Sequence, residues 1–342
     1  MDPPPIPSLA HLGWDDRLVA LFADHVDAGR RPARVARADR GRWTTFGVEG
    51  EARLGAARTL PEVPVVGDWV AVDETGVVAV VPRRSAFVRA AAGEDTAAQV
   101  LAANIDVAYI AVPIDRDVNL RRLERFLALG WESGATPVVV LTKTDLCPDP
   151  AAAYEAAASV SLGVDVEQVS GLTGVGVTEL VRHLLVDGRQ GTGVLLGPSG
   201  AGKSTLLNRL CGVELMAVAA ARRDGKGRHT TTHRELFVLP GGGSLIDTPG
   251  LRGVALWDAD EGIERAYPDV EGLLGGCRFD DCAHEREPGC ALQAAVADGR
   301  LDADRLASWH KLRRELANRK DRARSRRAIP PKRSKMGPEP RL

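Results

Sequence analysis

The chain of 342 residues has few aromatic side chains and lacks a long hydrophobic run. Aromatic residues make up 4% of it, and its apolar stretches fall short of the roughly 20 residues that a membrane-spanning helix needs. The N-terminal sequence has neither the basic segment nor the apolar segment of a secretory signal. We therefore expect neither a membrane-embedded nor a secreted protein.

Cysteine is scarce and odd in number. Of 5 cysteines, three fall within fourteen residues near the C-terminal end, and Cys147 and Cys211 stand alone. This distribution argues against a disulfide framework and favours a metal site in a reducing compartment. We expect a cytosolic protein.

Net charge is also nearly absent, at −1, but it is unevenly distributed. Residues 311–342 hold thirteen Lys and Arg against three Asp and Glu, a net +10, so the rest of the chain carries −11. The apolar fraction of 44% is sufficient for folded cores. An acidic body with a basic end predicts a polyanionic partner for that end.

Hydrophobic patterns divide the chain into five segments. Residues 1–28 predict a loose N-terminal arm, and residues 29–95 contain the short, turn-separated runs of a small β-barrel or sandwich. Residues 96–255 alternate strands with helices, which indicates an α/β sheet that is largely parallel. Residues 256–318 hold a Cys/His cluster between helices, and residues 319–342 predict a basic tail that is disordered until bound.

The predicted β segment is rich in arginine. Six Arg lie between positions 30 and 42, and Trp43, Phe46 and Trp69 are interspersed. Guanidinium groups pair with phosphates and aromatic rings stack on bases, so this composition suits RNA binding. The alternative is a solvated basic face over three core aromatics, and the sequence leaves both open.

A glycine-rich segment at residues 197–204 matches the pattern G-x-x-x-x-G-K-[ST] at every position. An apolar strand precedes it and a helix follows, which is the context in which such a loop binds phosphates. Backbone N–H groups point at phosphate oxygens, Lys203 reaches the β- and γ-phosphates, and the Ser204 hydroxyl binds Mg²⁺. The predicted phosphate-binding residues are Gly197, Pro198, Ser199, Gly200, Ala201, Gly202, Lys203, Ser204 and Thr205.

Two segments beyond this loop have the pattern of γ-phosphate sensors. A predicted strand ends in Asp-Thr-Pro-Gly, where Asp247 holds Mg²⁺, usually through water, and Gly250 lets the loop move. In the polar segment 225–233 we favour Thr231 as the residue that senses Mg²⁺ and the γ-phosphate, with Thr230 as the alternative. The predicted magnesium ligands are Ser204, Thr231 and Asp247.

Two guanine-reading motifs precede the phosphate loop. Asp145 ends a T-K-T-D segment, and an Asp at that position accepts two hydrogen bonds from guanine that adenine does not offer. Ser170 opens a second loop of the S-[AG]-x-x-G type, whose N–H groups contact the guanine O6. The predicted base-binding residues are Thr142, Lys143, Thr144, Asp145, Ser170 and Gly171. Since such motifs ordinarily follow the phosphate loop, their order here indicates a circular permutation.

The Cys/His cluster has the spacing of a metal site. Cys277, Cys282, His284 and Cys290 supply three thiolates and one imidazole, a set that tetrahedral Zn²⁺ readily takes. Four protein ligands leave no open position, so we expect one structural zinc ion. It would fix a charged segment that lacks the apolar residues to fold by itself.

Together these motifs resemble the ribosome small-subunit-dependent GTPase A family of bacteria, circularly permuted GTPases that act late in 30S assembly. The similarity covers about residues 30–310, and the string CRFDDCAHEREPGC is its most specific part. The resemblance implies an N-terminal OB-fold barrel, a central permuted G domain and a C-terminal zinc-binding helical domain. It also implies GTP hydrolysis that is stimulated by the 30S subunit and coupled to release, and we expect the basic tail to contact 16S rRNA.

The chain departs from these patterns at two positions. Thr142 stands where most of the family has Asn, and Leu251 stands where Ras-type enzymes have the Gln that orients water. We expect slow intrinsic turnover, with His229 either positioning the water or contacting RNA. The predicted catalytic residues are Lys203, Thr231, Asp247, Gly250 and His229. The alternative function is an rRNA-binding nucleotide switch with negligible catalysis. Because the sequence has no heptad pattern, we expect a monomer.

Overall fold

The structure is a computed structural model and describes residues 7–57, 60–90, 98–212, 234–247 and 259–327. Its strands are β1 (Arg31–Asp39), β2 (Arg42–Gly47), β3 (Gly50–Gly55), β4 (Trp69–Asp73), β5 (Gly76–Val80), β6 (Ala86–Ala90), β7 (Ala98–Ala103), β8 (Val107–Pro113), β9 (Thr136–Thr142), β10 (Val166–Val169), β11 (Leu185–Val186), β12 (Arg189–Gln190), β13 (Thr192–Leu196), β14 (Glu235–Val238) and β15 (Ser244–Asp247). Its helices are α1 (Asp16–Asp27), α2 (Leu120–Glu132), α3 (Pro150–Ala158), α4 (Val177–Arg182), α5 (Lys203–Cys211), α6 (Asp260–Ala266), α7 (Pro268–Glu271), α8 (Ala291–Ala297) and α9 (Ala303–Arg327), and a 3-10 turn covers Thr144–Leu146.

A mixed sheet of 11 strands runs through the described chain in the order β10-β9-β8-β13-β15-β14-β1-β2-β3, with β4 and β5 attached through β1. The pairs from β10 to β15 are parallel, and β14 is antiparallel to β15. Strands β8, β9 and β13 are buried along nearly their whole length, as parallel strands are when helices cover both faces of a sheet. This part of the sheet has the α/β character that the alternating patterns predict.

The first five strands close into a ring of pairings. Strand β1 pairs with both β2 and β4, β2 pairs with β3, and β4 pairs with β5. A parallel bridge between Ala56 and Val77 joins the end of β3 to β5 and completes the ring. Its interior is a small apolar core that includes Val35, Val70 and Val77. The segment is therefore a closed barrel rather than a sandwich.

Both tryptophans of this segment are buried, Trp43 inside the barrel and Trp69 in the large core that also contains Leu18 and Phe22. Trp43 is 5% exposed and Trp69 2% exposed, and the Trp43 Nε1 donates to the Pro64 carbonyl at 2.9 Å. Phe46 is half-buried. Arg34 is buried too, with its guanidinium donating to backbone carbonyls, including that of Asn104 at 3.0 Å. The sequence left open whether these aromatic rings stack on RNA bases or lie in a core. Both tryptophans lie in a core, so neither ring stacks on a base.

Residues 7–28, which the sequence predicts as a loose arm, are packed against the barrel. Helix α1 begins after Asp15, whose side chain accepts from the Leu18 N–H at 2.9 Å. Leu18 and Phe22 are buried, and the ring of Trp14 meets that of Trp69 edge-on at 5.1 Å. Residues Asp16–Asp27 thus form a helix whose apolar face packs into the same core as Trp69.

The C-terminal helices pack on α2 of the central sheet. Arg305 of α9 donates to Glu124 of α2 at 3.1 Å and to Asp269 at 2.5 Å, with Glu124 and Arg305 both nearly inaccessible to solvent. Burial raises the pKa of Glu124, and the hydrogen bonds from Ser308 and Arg305 oppose that rise. These polar contacts hold the C-terminal helices in a fixed place on α2.

Helix α9 is long and its last part is basic. It has 25 residues and continues to Arg327, so residues 319–327, which we expected in a disordered tail, are helical. Residues 328–342 lie outside the described residues. None of the described helices combines the length and hydropathy needed to cross a membrane.

Candidate functional site

The predicted phosphate loop connects β13 to α5. Gly197 has a φ of 134°, and a Cβ there would lie 2.5 Å from the Ala111 carbonyl oxygen, so only glycine fits. Gly202 caps the helix with a φ of 82°, and α5 begins at Lys203. The Lys203 Nζ donates to the carbonyls of Gly197 at 2.8 Å and Pro198 at 2.6 Å. The ammonium group therefore lies over the loop whose N–H groups bind phosphate in sites of this kind.

The described magnesium candidates lie at the same edge of the sheet. Ser204 is exposed in the first turn of α5. Val194 of β13 pairs with Ile246 of β15, so Asp247 ends its strand beside the start of the phosphate loop. Of the other predicted catalytic residues, His229, Thr231 and Gly250 lie outside the described residues.

The two predicted guanine segments are brought together. The Ser170 hydroxyl donates to the Asp145 carboxylate at 2.6 Å, and the Thr173 N–H donates back to the Ser170 oxygen at 3.1 Å. Ser170 is 1% exposed and Asp145 is exposed, so the bond is buried at its hydroxyl end while the carboxylate stays accessible to a base. The hydrogen bond orients the carboxylate that would read the guanine edge, and it links segments that are 25 residues apart.

Thr142 connects the base segment to the phosphate loop. Its hydroxyl donates to the Ala201 carbonyl at 2.8 Å, and the residue is 3% exposed. Thr142 therefore anchors the base segment to the phosphate loop, although it lacks the side-chain amide of the Asn that most members of the family resembled by the sequence have here. Thr144 begins the 3-10 turn that carries Asp145.

Lys143 is held at both its backbone and its side chain. Its φ is 64°, a left-handed conformation that costs energy in a residue with a Cβ. Its Nζ forms an ion pair with the Asp115 carboxylate at 2.6 Å, and the hydrogen bond from Lys143 holds the pKa of Asp115 below its usual value. Asp115 is not among the residues predicted from the sequence. Its position just after a central parallel strand was the available signal, because ligand sites in such sheets lie at the carboxyl ends of strands.

An open groove of about 510 Å³ lies between the second guanine loop and α5. Arg209 of α5, also missed in the sequence, donates to the carbonyl of Gly171 at 3.3 Å and to that of Leu172. A Cβ on Gly171 would lie 3.2 Å from the Leu206 nitrogen, so the loop rests directly on the helix. The groove is lined by Gly171, Leu172, Ser204, Thr205, Asn208, Arg209 and Gly212.

The four predicted metal ligands form one cluster. The ligand atoms of Cys277, Cys282, His284 and Cys290 all lie within 4.8 Å of one another. The His284 Nδ1 is 3.4 Å from the Cys277 sulfur and 3.7 Å from the Cys290 sulfur. Donor atoms around a tetrahedral Zn²⁺ lie roughly 3.3–3.8 Å apart, given bonds of about 2.0–2.3 Å, so the cluster fits zinc.

Side chains around the cluster hold it in shape. Burial lowers the pKa of His284, which favours the neutral imidazole that binds metals. The Glu287 carboxylate accepts backbone N–H bonds from residues 283, 285 and 286 at 3.1, 2.9 and 3.0 Å. The His284 carbonyl accepts from Gln293 at 2.9 Å. Glu287 is not among the residues predicted from the sequence, because its acceptor role depends on the folded loop.

The order of the strands and the order of the motifs define the class of this protein. The phosphate loop follows the central strand β13. The two predicted guanine segments follow β9 and β10 of the same sheet and come earlier in the chain. YjeQ from Thermotoga maritima has a similar structure, with a TM-score of 0.62 and 25% identity over 85% of this chain and 99% of that one. YloQ, described as a circularly permuted GTPase, aligns with a TM-score of 0.59 over 86% of this chain and 96% of that one, at 22% identity. The fold and the order of the motifs are those of a circularly permuted GTPase.

Sequence comparison identifies the family. Residues 80–257 match the family model described as RsgA GTPase. The chain belongs to the RsgA GTPase family, and its reaction is the hydrolysis of GTP. A relative from Streptomyces coelicolor, named small ribosomal subunit biogenesis GTPase RsgA, is 49% identical over 90% of this chain and 86% of its own length. A relative of the same name from Opitutus terrae is 43% identical over 91% of this chain and 90% of its own.

Proposed function

We propose that this chain binds GTP between its guanine segments and its phosphate loop and hydrolyses it during late maturation of the small ribosomal subunit. The observation that carries the proposal is the Ser170–Asp145 hydrogen bond, with the Thr142–Ala201 bond beside it. Together they join both guanine segments to the phosphate loop in one pocket. Asp145 accepts from the guanine edge, and the loop after Ser170 faces the guanine O6.

The phosphate end of the pocket performs the reaction. Lys203 leaves the loop carbonyls for the β- and γ-phosphates and neutralises charge that develops during phosphoryl transfer. Ser204, Thr231 and Asp247 would hold Mg²⁺, which when bound would supply further positive charge to the phosphates. Gly250 lets its loop approach the γ-phosphate, and His229 positions the attacking water.

The ribosomal partner follows from the names of the relatives and from the charge of this chain. Arg31 and Arg42 are exposed on the barrel, and α9 ends in a run of Arg. The exposed guanidinium groups of the barrel and the basic sequence at the end of α9 suit the phosphates of 16S rRNA in the 30S subunit. We also propose that the barrel is an OB fold, because its closed ring of five strands and parallel β3–β5 bridge have that arrangement.

The zinc ion is proposed as a structural element. Cys277, Cys282, His284 and Cys290 would hold it with no open position, so it supplies folding energy rather than chemistry. We propose that the protein acts as a monomer in the cytoplasm.

The experiment is GTP turnover by the purified chain at fixed salt, with 30S subunits, with 50S subunits and alone. Stimulation by 30S that is absent with 50S and absent in Lys203→Ala supports the proposal. Turnover that 30S leaves unchanged, with GTP still bound, contradicts it and favours the rRNA-binding nucleotide switch with negligible catalysis.

A further inference from the structure

We propose that Asp115 is a positioning residue for guanine binding, because it holds Lys143 where the aliphatic stem lies against the plane of the base. The inference rests on the proposed guanine site, in which Lys143 follows β9. It assigns a function to a residue outside the guanine motifs and the phosphate loop.

The topology places Asp115 between the two halves of the nucleotide pocket. Strand β8 pairs in parallel with β9 on one side and with β13 on the other. Pro113 is in register with Thr142, and the Ile114 N–H donates to the Thr142 carbonyl at 3.0 Å. The chain just before Asp115 is therefore fixed to the strand that carries the guanine segment, and a shift of one moves the other.

The ion pair removes the freedom that remains in the Lys143 side chain. The backbone of Lys143 is fixed by its left-handed φ of 64° and by its carbonyl, which accepts from the Leu146 N–H at 2.9 Å. A free lysine side chain keeps rotamer entropy, which binding of a base would have to remove. Asp115 fixes the far end of the side chain at 2.6 Å before any base arrives. Such preorganisation improves affinity without a new contact to the ligand.

A plain surface ion pair is the competing explanation. Asp115 also has a neighbour of that kind, since Arg116 Nε lies 3.3 Å away with 63% of its side chain exposed. In the Lys143–Asp115 pair, by contrast, 26% of the lysine side chain and 24% of the aspartate side chain are exposed. Exposed pairs contribute little to stability. The Lys143–Asp115 pair is distinguished by its shorter distance, 2.6 Å against 3.3 Å, and by the backbone hydrogen bonds that fix the chain at Ile114 and at Lys143.

The expected effect is on binding, not on chemistry. Base contacts are made equally with bound GTP and in the transition state, so losing Asp115 raises KM and leaves kcat unchanged. GDP affinity falls by the same factor as GTP affinity, because the two nucleotides share the base. A residue that only stabilised the fold would lower the melting temperature without this pattern.

The test is a double-mutant cycle on the full chain, read out by the equilibrium affinity and dissociation rate of a fluorescent GDP. We expect Asp115→Ala and Lys143→Ala each to weaken binding by about three- to tenfold, and the double variant to be no weaker than Lys143→Ala alone. Asp115→Asn keeps a hydrogen-bond acceptor and should fall between wild type and Asp115→Ala. Asp117→Ala, at an exposed carboxylate on the same loop, is the matched control and should bind as wild type.

Two results would overturn the inference. Additive losses would mean that Asp115 and Lys143 act independently, and unchanged binding in Asp115→Ala beside weakened binding in Lys143→Ala would leave Asp115 without a function. Unchanged binding in Lys143→Ala would instead reject the proposed guanine site, and the inference with it. If Asp115→Ala fails to fold, Asp115→Asn in the same cycle decides the outcome.

Discussion

The carboxylate of Glu124 accepts a hydrogen bond at 3.1 Å from Arg305, which lies 181 residues further along the chain. Both side chains are almost completely buried, and the Ser308 hydroxyl donates to the same carboxylate. The pair joins α2, the first helix of the α/β sheet, to α9, the long helix beyond the metal cluster. A rigid contact of this kind ties the position of the C-terminal helices to that of α2.

Removing one member of this pair should be costly. Arg305→Ala leaves a buried carboxylate without its cation, and we expect it to lower the free energy of unfolding by about 3–5 kcal/mol. Chemical denaturation followed by circular dichroism measures the loss. The control is Arg121→Ala, because Arg121 pairs with Asp304 across the same two helices but with 59% and 85% of the side chains exposed. That variant should lose about 1 kcal/mol or less, and equal losses in the two variants would contradict the argument.

The base specificity should change with Asp145→Asn. An amide in this place presents an N–H to the position where guanine also has an N–H, whereas xanthine has a carbonyl there. The amide oxygen still accepts from Ser170, so the two loops should stay together. We expect GTP affinity to fall by at least about tenfold and xanthosine triphosphate affinity to rise, measured by competition with fluorescent GDP. Retained preference for GTP would disprove the guanine assignment.

The metal cluster should be needed for the C-terminal fold but not for nucleotide binding. Cys282→Ala removes one of four donors, so we expect bound zinc, measured by elemental analysis, to fall from about one ion per chain to near zero. GDP affinity should stay within about twofold, because the nucleotide pocket does not include the cluster. Cys147→Ala is the control, since that half-buried thiol lies outside the cluster. A melting temperature of Cys282→Ala equal to that of wild type would refute the structural role.

The basic end should contribute salt-dependent affinity for RNA. Deleting residues 328–342 removes Lys332, Arg333, Lys335 and Arg341 while leaving α9 intact. Each lost phosphate contact should lower the slope of log K against log salt by about 0.7–0.9, so we expect weaker 30S binding with a shallower slope. Binding to 30S subunits across a salt series measures it. An unchanged slope would show that these residues do not contact phosphate.

The sequence predicted the site elements that are local in the chain. The phosphate loop and the Cys277–Cys290 cluster could be predicted because each is a short run whose spacing itself carries the chemistry. Ser170 and Asp145 were found as motifs, but their hydrogen bond depends on the parallel pairing of β9 with β10.

What could not be predicted depends on tertiary packing. Arg34 looked like one of several surface arginines, yet the barrel and the N-terminal segment bury it. The Asp115–Lys143 pair joins residues 28 positions apart, and no periodicity links them. Residues 319–327 looked disordered because they have no apolar period, but they extend a helix that Leu312 and Leu316 had already anchored in the core.

The meeting of the barrel with the central sheet has a consequence for solubility. Strand β14 would otherwise end the sheet with unpaired N–H and C=O groups, which form a template for intermolecular strand addition. Strand β1 occupies that side through the pairing of Arg37 with Glu235. A chain that lost its first 75 residues would expose this edge, and it should aggregate by edge-to-edge pairing even if its nucleotide pocket were intact.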